Sequence, residues 1–169
     1  MFKSTLPRLE IELKPLDYLV ELIAVASILA LIIVPAWFFG ELPAEIPSHF
    51  NGAGEPDDYS SRGSIWILPI IGVLVTVFML VLSRYPHLYN YPVEITEKNV
   101  YTQYRLAARM IRILGTAVAV LFAFISYRTI QTALGQTEGL GDGFMWIFMV
   151  GTFAPTIIYL IVAASKRDS

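Results

Sequence analysis

The chain has 169 residues, a formal net charge of −2, no cysteine, 56% hydrophobic residues and only 15% charged ones, at a mean hydropathy of +0.61. A soluble domain normally carries about 25% charged residues, so the deficit points to burial in lipid, and the length allows one small domain. The slightly negative balance excludes a nucleic-acid partner, which needs a concentrated basic face, and the lack of cysteine excludes disulfides, thiol catalysis and cysteine metal sites.

Lys3, Arg8 and Lys14 precede the first apolar run, residues 19–39, whose only charge is Glu21 near one end. A secretory signal has an apolar region of about 7–15 residues. This run is longer, and Pro35-Ala36-Trp37-Phe38-Phe39 is a poor small-residue cleavage site, so the run reads as an uncleaved anchor. The polar stretch over residues 40–64 follows. Pro43 and Pro47 each bias the preceding residue toward extended geometry, and Asn51-Gly52, Gly54 and Pro56-Asp57 are turn signals. An ordered, turn-rich loop is expected there.

A second apolar run without charge covers residues 65–82. The next connection carries Tyr85, Tyr89 and Tyr91 between and beside Pro86 and Pro92, an aromatic segment suited to the headgroup level. Thr96 has the chemistry of a helix N-cap, with Glu97 favourably placed in the first turn. Tyr101, Tyr104, Ala108 and Ile111 then follow helical spacing, while Arg105, Arg109 and Arg112 form a row at i, i+4 and i+7. This predicts a basic amphipathic helix over about residues 96–112, leading straight into a third span. It is expected to lie against anionic lipid or to dock a partner protein. The third run, residues 113–134, has one charge, Arg128, near its end, and the fourth, residues 144–164, has none. About 20 apolar residues cross roughly 30 Å of hydrocarbon, so all four runs qualify as spans.

Within the spans, Gly115, Ala119 and Ala123 make a small-residue stripe on the third, and Ala26 with Ala30 a shorter one on the first; such stripes let helix backbones approach. Pro155 should kink the fourth span, with Gly151 and Thr152 relieving the freed backbone groups. No Asp, Glu, Lys or His lies in mid-span, which lowers the transporter and channel readings. Arg128 is expected to snorkel to the interface, though it can also line a site.

Ten of the twelve lysines and arginines fall on one side of this arrangement and two on the other. The positive-inside rule then puts both termini in the cytoplasm and the 40–64 loop outside. The architecture expected is an all-α, integral-membrane four-helix bundle in a bacterial cytoplasmic membrane, one domain over residues 1–169. It has a turn-rich outer loop and a basic interfacial helix.

With barren spans, the outer loop is the main candidate site. His49 and Asp57 are open as metal ligands or proton acceptors, but a zinc site wants more nitrogen or sulfur ligands and the loop has one histidine. His87 falls across the membrane. Ser48 adjoins His49 without a nucleophile elbow, so no catalytic residue is assigned and no cofactor is expected.

The run Leu42-Pro43-x-x-Ile46-Pro47-x-His49-Phe50-Asn51-x-x-Gly54-Glu55-Pro56-Asp57 resembles the signature of domain-of-unknown-function family 1648, the N-terminal domain of SdpI-type bacterial membrane proteins. Tyr59 fits the pattern, and Arg62 stands where a lysine is usual. The segment Asn90-Tyr91-Pro92-Val93-x-Ile95-Thr96-Glu97-x-Asn99, followed by Gln103-Tyr104-Arg105, resembles a subset of the same proteins. The resemblance implies immunity to a secreted toxic peptide and signalling through a repressor held at the membrane. It also implies an outer binding set of Pro43, Pro47, His49, Phe50, Asn51, Gly54, Asp57 and Arg62. Arg105, Arg109 and Arg112 would then face lipid or a cytoplasmic regulator. The chain is expected to lack the further spans of longer SdpI-type proteins, which counts against immunity. The expected function is thus recognition of a peptide or protein at the outer surface, in immunity or sensing. The alternatives are a small membrane enzyme or metal protein using His49 and Asp57, and an accessory subunit of a membrane complex.

Overall fold

A computed structural model describes residues 6–168; Lys3, counted in the charge asymmetry, lies outside them. The element order is α1 (Pro15–Phe38), β1 (Glu45–Phe50), β2 (Pro56–Ser61), α2 (Ile67–Leu82), α3 (Val100–Ala133) and α4 (Phe144–Ser165), with a short 3-10 turn Arg62–Trp66 leading into α2. Four helices are long and apolar enough to cross a bilayer, the second counted from Arg62. The protein is a multi-pass membrane protein. Helix is forced on such segments because lipid offers backbone N–H and C=O groups no partner.

Helix α3 is the centre of the bundle and packs on α1, α2 and α4, while α4 packs chiefly on α3 among the described residues. Small residues permit the closest approaches. A Cβ on Gly115 of α3 would stand 2.9 Å from Met79 Cβ of α2, and one on Gly72 of α2 would stand 2.9 Å from Phe122 of α3 and 3.0 Å from Leu31 of α1. Thr76 Oγ1 donates to the Gly115 carbonyl at the same crossing (3.3 Å), a polar contact between helices in lipid. The stripe on α3 works as expected at Gly115 and Ala119, which are buried. On α1 the packed row is Asp17, Ala24, Leu31 and Pro35. Ala26 faces outward, because the row that α1 turns to α3 is set by its polar end at Asp17. Pro155 sits inside an unbroken α4; Thr152 Oγ1 donates to the carbonyls of Phe148 and Met149 (2.7 and 3.3 Å).

The basic segment is not a separate helix. It is the first third of the 34-residue α3. It starts at Val100 because residues 96–99 form a locked turn: Thr96 N–H donates to Asn99 Oδ1 (2.9 Å) and Asn99 N–H to Thr96 Oγ1 (3.3 Å). Asn99 and Gln103, both fully buried, then reach the far end of α4. Asn99 Nδ2 donates to the Arg167 carbonyl (2.6 Å), and Gln103 Nε2 to the carbonyls of Ala163 and Lys166 (3.0 and 3.1 Å). These carbonyls lie in the last turn of α4 and just past it, where a helix runs out of N–H partners, although Ala163 O also accepts from Lys166 N–H (3.3 Å). Tyr104 Oη donates to the Pro7 carbonyl (3.0 Å). Both ends of the described chain therefore meet at the start of α3, here called the termini end. Tyr89, Tyr91 and Tyr104 stack there. Burial pushes the Tyr89 phenol up to about 12 and raises that of Tyr91.

At the opposite end, the polar loop contains a two-stranded antiparallel hairpin, β1 with β2. The sequence predicts an ordered, turn-rich loop with extended geometry before its prolines, without specifying strand pairing. Its pairing register, Glu45 with Ser61 through Phe50 with Pro56, shifts around His49. Leu42 and Ile46 bury with Ile65 and Ile130, flanked by Phe38, Phe39, Trp66 and Leu134, so the hairpin is seated on the bundle through one apolar face.

Candidate functional site

The hairpin turn is organised by Asn51. Its Oδ1 accepts from the N–H groups of Ala53 (2.9 Å) and Glu55 (3.1 Å), and its Nδ2 donates to Glu55 Oε2 (3.1 Å), an Asx-type turn. Gly54 follows at φ +83°, a left-handed conformation that favours glycine. This presents the Gly54 carbonyl to the α3–α4 loop, where Leu140 N–H donates to it (2.7 Å). Gly139 makes the approach possible, since a Cβ there would overlap the Gly54 carbonyl oxygen. Arg128, from the last turns of α3, donates from Nε to the Gly139 carbonyl (2.7 Å). The hairpin tip is thus latched to the α3–α4 loop through backbone groups, and Arg128 ties that loop back to α3.

The latch frames an open cleft of 670 Å³ lined by Ala53, Glu55, Pro56, Arg128, Glu138 and Asp142 together with loop glycines. Three carboxylates and one guanidinium face a common space. This is the chemistry of a site that orients a polar or charged ligand rather than one that buries an apolar body.

A second group lies on the exposed face of the hairpin. His49 Nδ1 and Asp57 Oδ1 are 2.6 Å apart, and Ser48 Oγ donates to Asp58 Oδ2 (3.0 Å). With the carboxylate accepting, Nδ1 is the donor in this pair. Ser48 Oγ is thereby engaged by Asp58 and not by His49. Among the described residues no group of three or more His, Cys, Asp or Glu side chains is placed to hold a metal ion.

The eight outer-loop residues therefore divide by task. His49 and Asp57 face solvent as a pair. Asn51 and Gly54 shape the turn and the latch. Pro47 is buried and Phe50 half-buried, and both line a 170 Å³ cavity beneath the hairpin with Ser126 and Thr129. Pro43 is exposed. Arg62 lies with its guanidinium 5.3 Å from the centre of the Phe39 ring, a cation–π contact that anchors the hairpin base. Glu138, Gly139, Gly141 and Asp142 carry half of the cleft, and the sequence reading did not single them out. The available signal was a loop with Gly135, Gly139, Gly141 and Gly143 in nine residues, three of them at positive φ.

At the termini end the arginine row does not form one outward surface. Arg112 is buried at 3% exposure. Its Nη1 donates to Asp17 Oδ1 (3.3 Å), and its Nε lies 2.9 Å from Glu21 Oε1 without hydrogen-bond alignment. Arg109 donates from Nε and Nη2 to the two oxygens of Asp17 (2.8 and 2.9 Å), and Arg84 donates to Glu21 (2.8 Å). Arg112 is thus corrected from a lipid or partner contact to a buried clamp between α3 and α1. Desolvation of its charge requires those two carboxylates. Arg105, half-exposed, makes no hydrogen bond or ion pair among the described residues.

No solved structure matches the chain significantly. An uncharacterized protein of Archaeoglobus fulgidus is 32% identical over 74 residues, a match covering 39% of this chain and 40% of that protein's length. The stretch that runs from within α1, through the whole hairpin and into α2, residues 26–73, matches the model of a family described as a domain of unknown function, DUF1648.

Proposed function

We propose that the hairpin end is a recognition surface for a peptide or protein outside the cell, in the manner of SdpI-type immunity or sensing. The observation that supports it is the latch. Gly54, Gly139 and Leu140 hold the hairpin tip in one position and thereby frame a mixed-charge cleft. Pre-ordered loops of this kind lower the entropic cost of binding a flexible ligand. The His49–Asp57 pair adds a polar contact beside the cleft. The charge asymmetry that puts this end outside supports the same reading.

The test is survival of cells with and without the gene when challenged with membrane-active peptides. Binding of the protective case to purified protein in nanodiscs is then measured. His49→Ala and Arg128→Gln are expected to weaken both. A deletion that changes no sensitivity, together with no peptide binding, counts against the proposal. Stoichiometric transition metal lost on His49→Ala points instead to metal chemistry. An introduced cysteine at Ala53 that labels only from the cytoplasmic side overturns the orientation.

A further inference from the structure

We infer that the groove between α3 and α4 binds one acyl chain of an anionic phospholipid, with its phosphate at Arg109 and Arg105. The groove is 480 Å³ and runs along α3 from Leu106 to Ala117, walled on the α4 side by Gly151, Ile158 and Val162 among others. At 1.5 Å rise per residue this is about 16 Å, half of the roughly 30 Å hydrocarbon core, which is one leaflet. A neighbouring helix, about 10 Å across with side chains, would need a trough running the full span. The length therefore matches a lipid chain better than a second copy of the protein.

Charge identifies the headgroup. Arg109 lines the groove at its termini end, and its Nη1 makes no hydrogen bond among the described residues after Nε and Nη2 are given to Asp17. Arg105 lies one turn nearer the termini end on the same helix row, without a partner among the described residues. The other wall opens because Gly151 has no side chain. A Cβ on Gly151, which lines both this groove and the adjoining cavity at Leu121, would meet only Leu121 Cδ1, at 3.9 Å, an ordinary contact, so a larger residue has room there without displacing the helices. The inference does not depend on the recognition role of the hairpin end.

The experiment is native mass spectrometry of the full chain in detergent, titrated with phosphatidylglycerol or phosphatidylcholine. Each basic residue near a headgroup contributes about fivefold, so the anionic lipid should be preferred by ~25-fold. Arg105→Gln is expected to reduce that preference about fivefold, and Gly151→Phe to abolish tight retention of either lipid. In the wild type but not in Gly151→Phe, phosphatidylglycerol should raise the thermal midpoint, which separates a blocked groove from a misfolded chain. Equal retention of the two lipids, full retention in Gly151→Phe, or a dimer that displaces the lipid would each overturn the inference.

Discussion

Replacing Gly139 by Ala should unlatch the hairpin without unfolding the bundle. The new Cβ would overlap the Gly54 carbonyl oxygen and stand 3.1 Å from its carbonyl carbon and 3.3 Å from Glu55 Cα. Backbone is on the other side of every contact, so relief requires the two loops to separate. Separation breaks the Leu140 N–H to Gly54 O bond, now 2.7 Å, a loss of about 1 kcal/mol. Holding a side chain at φ +155° costs about 1–3 kcal/mol more. The latch should weaken by ~2–4 kcal/mol, or about 30- to 1,000-fold in the open population. Amide exchange at Leu140, followed by mass spectrometry in nanodiscs, reads that population as local opening. Gly135→Ala is the control: it has positive φ but open space around its Cβ, so it should leave Leu140 protected. Unchanged exchange at Leu140 in Gly139→Ala would refute the latch.

The remaining outcomes concern the termini end. Asp17→Ala leaves the buried Arg112 guanidinium with Glu21 as its one carboxylate neighbour and should cost about 3–5 kcal/mol. Thermal unfolding in detergent checks it, and an unchanged midpoint would count against the clamp. Gln103→Leu removes the donor to the Ala163 and Lys166 carbonyls and should cost about 1–3 kcal/mol. It should show as faster amide exchange at the end of α4 with α1 and α2 unaffected. Burial raises the Tyr89 phenol from 10.0 to about 12, so its contribution to stability is complete below pH 10 and is lost as pH rises through 12. An alkaline unfolding titration of Tyr89→Phe should be flatter across that window than that of the wild type.

The four spans were legible because lipid imposes a length and a composition on any crossing helix, and runs such as residues 65–82 and 144–164 satisfy both without ambiguity. The hairpin was not legible. Strand reading depends on period-two alternation, and Pro47 interrupts β1 while Asp57-Asp58 gives β2 no apolar side. Only Ile46 and Pro47 of β1 are buried, too short a signal to count. The start of α3 was misplaced at Thr96 for a related reason. Thr96 does cap a turn, but that turn is closed on itself by Asn99, and only the next residue enters the helix.

Residue type also hides whether a motif serves binding or folding. Asn99, Gln103 and Tyr104 belong to a segment with family resemblance. Each donates a side-chain hydrogen bond to a carbonyl of α4, residue 167 or the N-terminal segment. Their placement satisfies a helix end beside lipid, where an unpaired carbonyl is costly. Arg105, Arg109 and Arg112 make the same point in one row. Helical spacing places them on adjacent parts of α3, but α1 approaches from one side, so the carboxylate of Asp17 takes Arg112 inward, shares Arg109 and leaves Arg105 without a partner. Pairing partners 92 and 95 residues distant cannot be read from a local pattern. The same holds for the cleft, whose two halves, Glu55 and Arg128, come together only when a glycine at 139 lets one loop pass against the other.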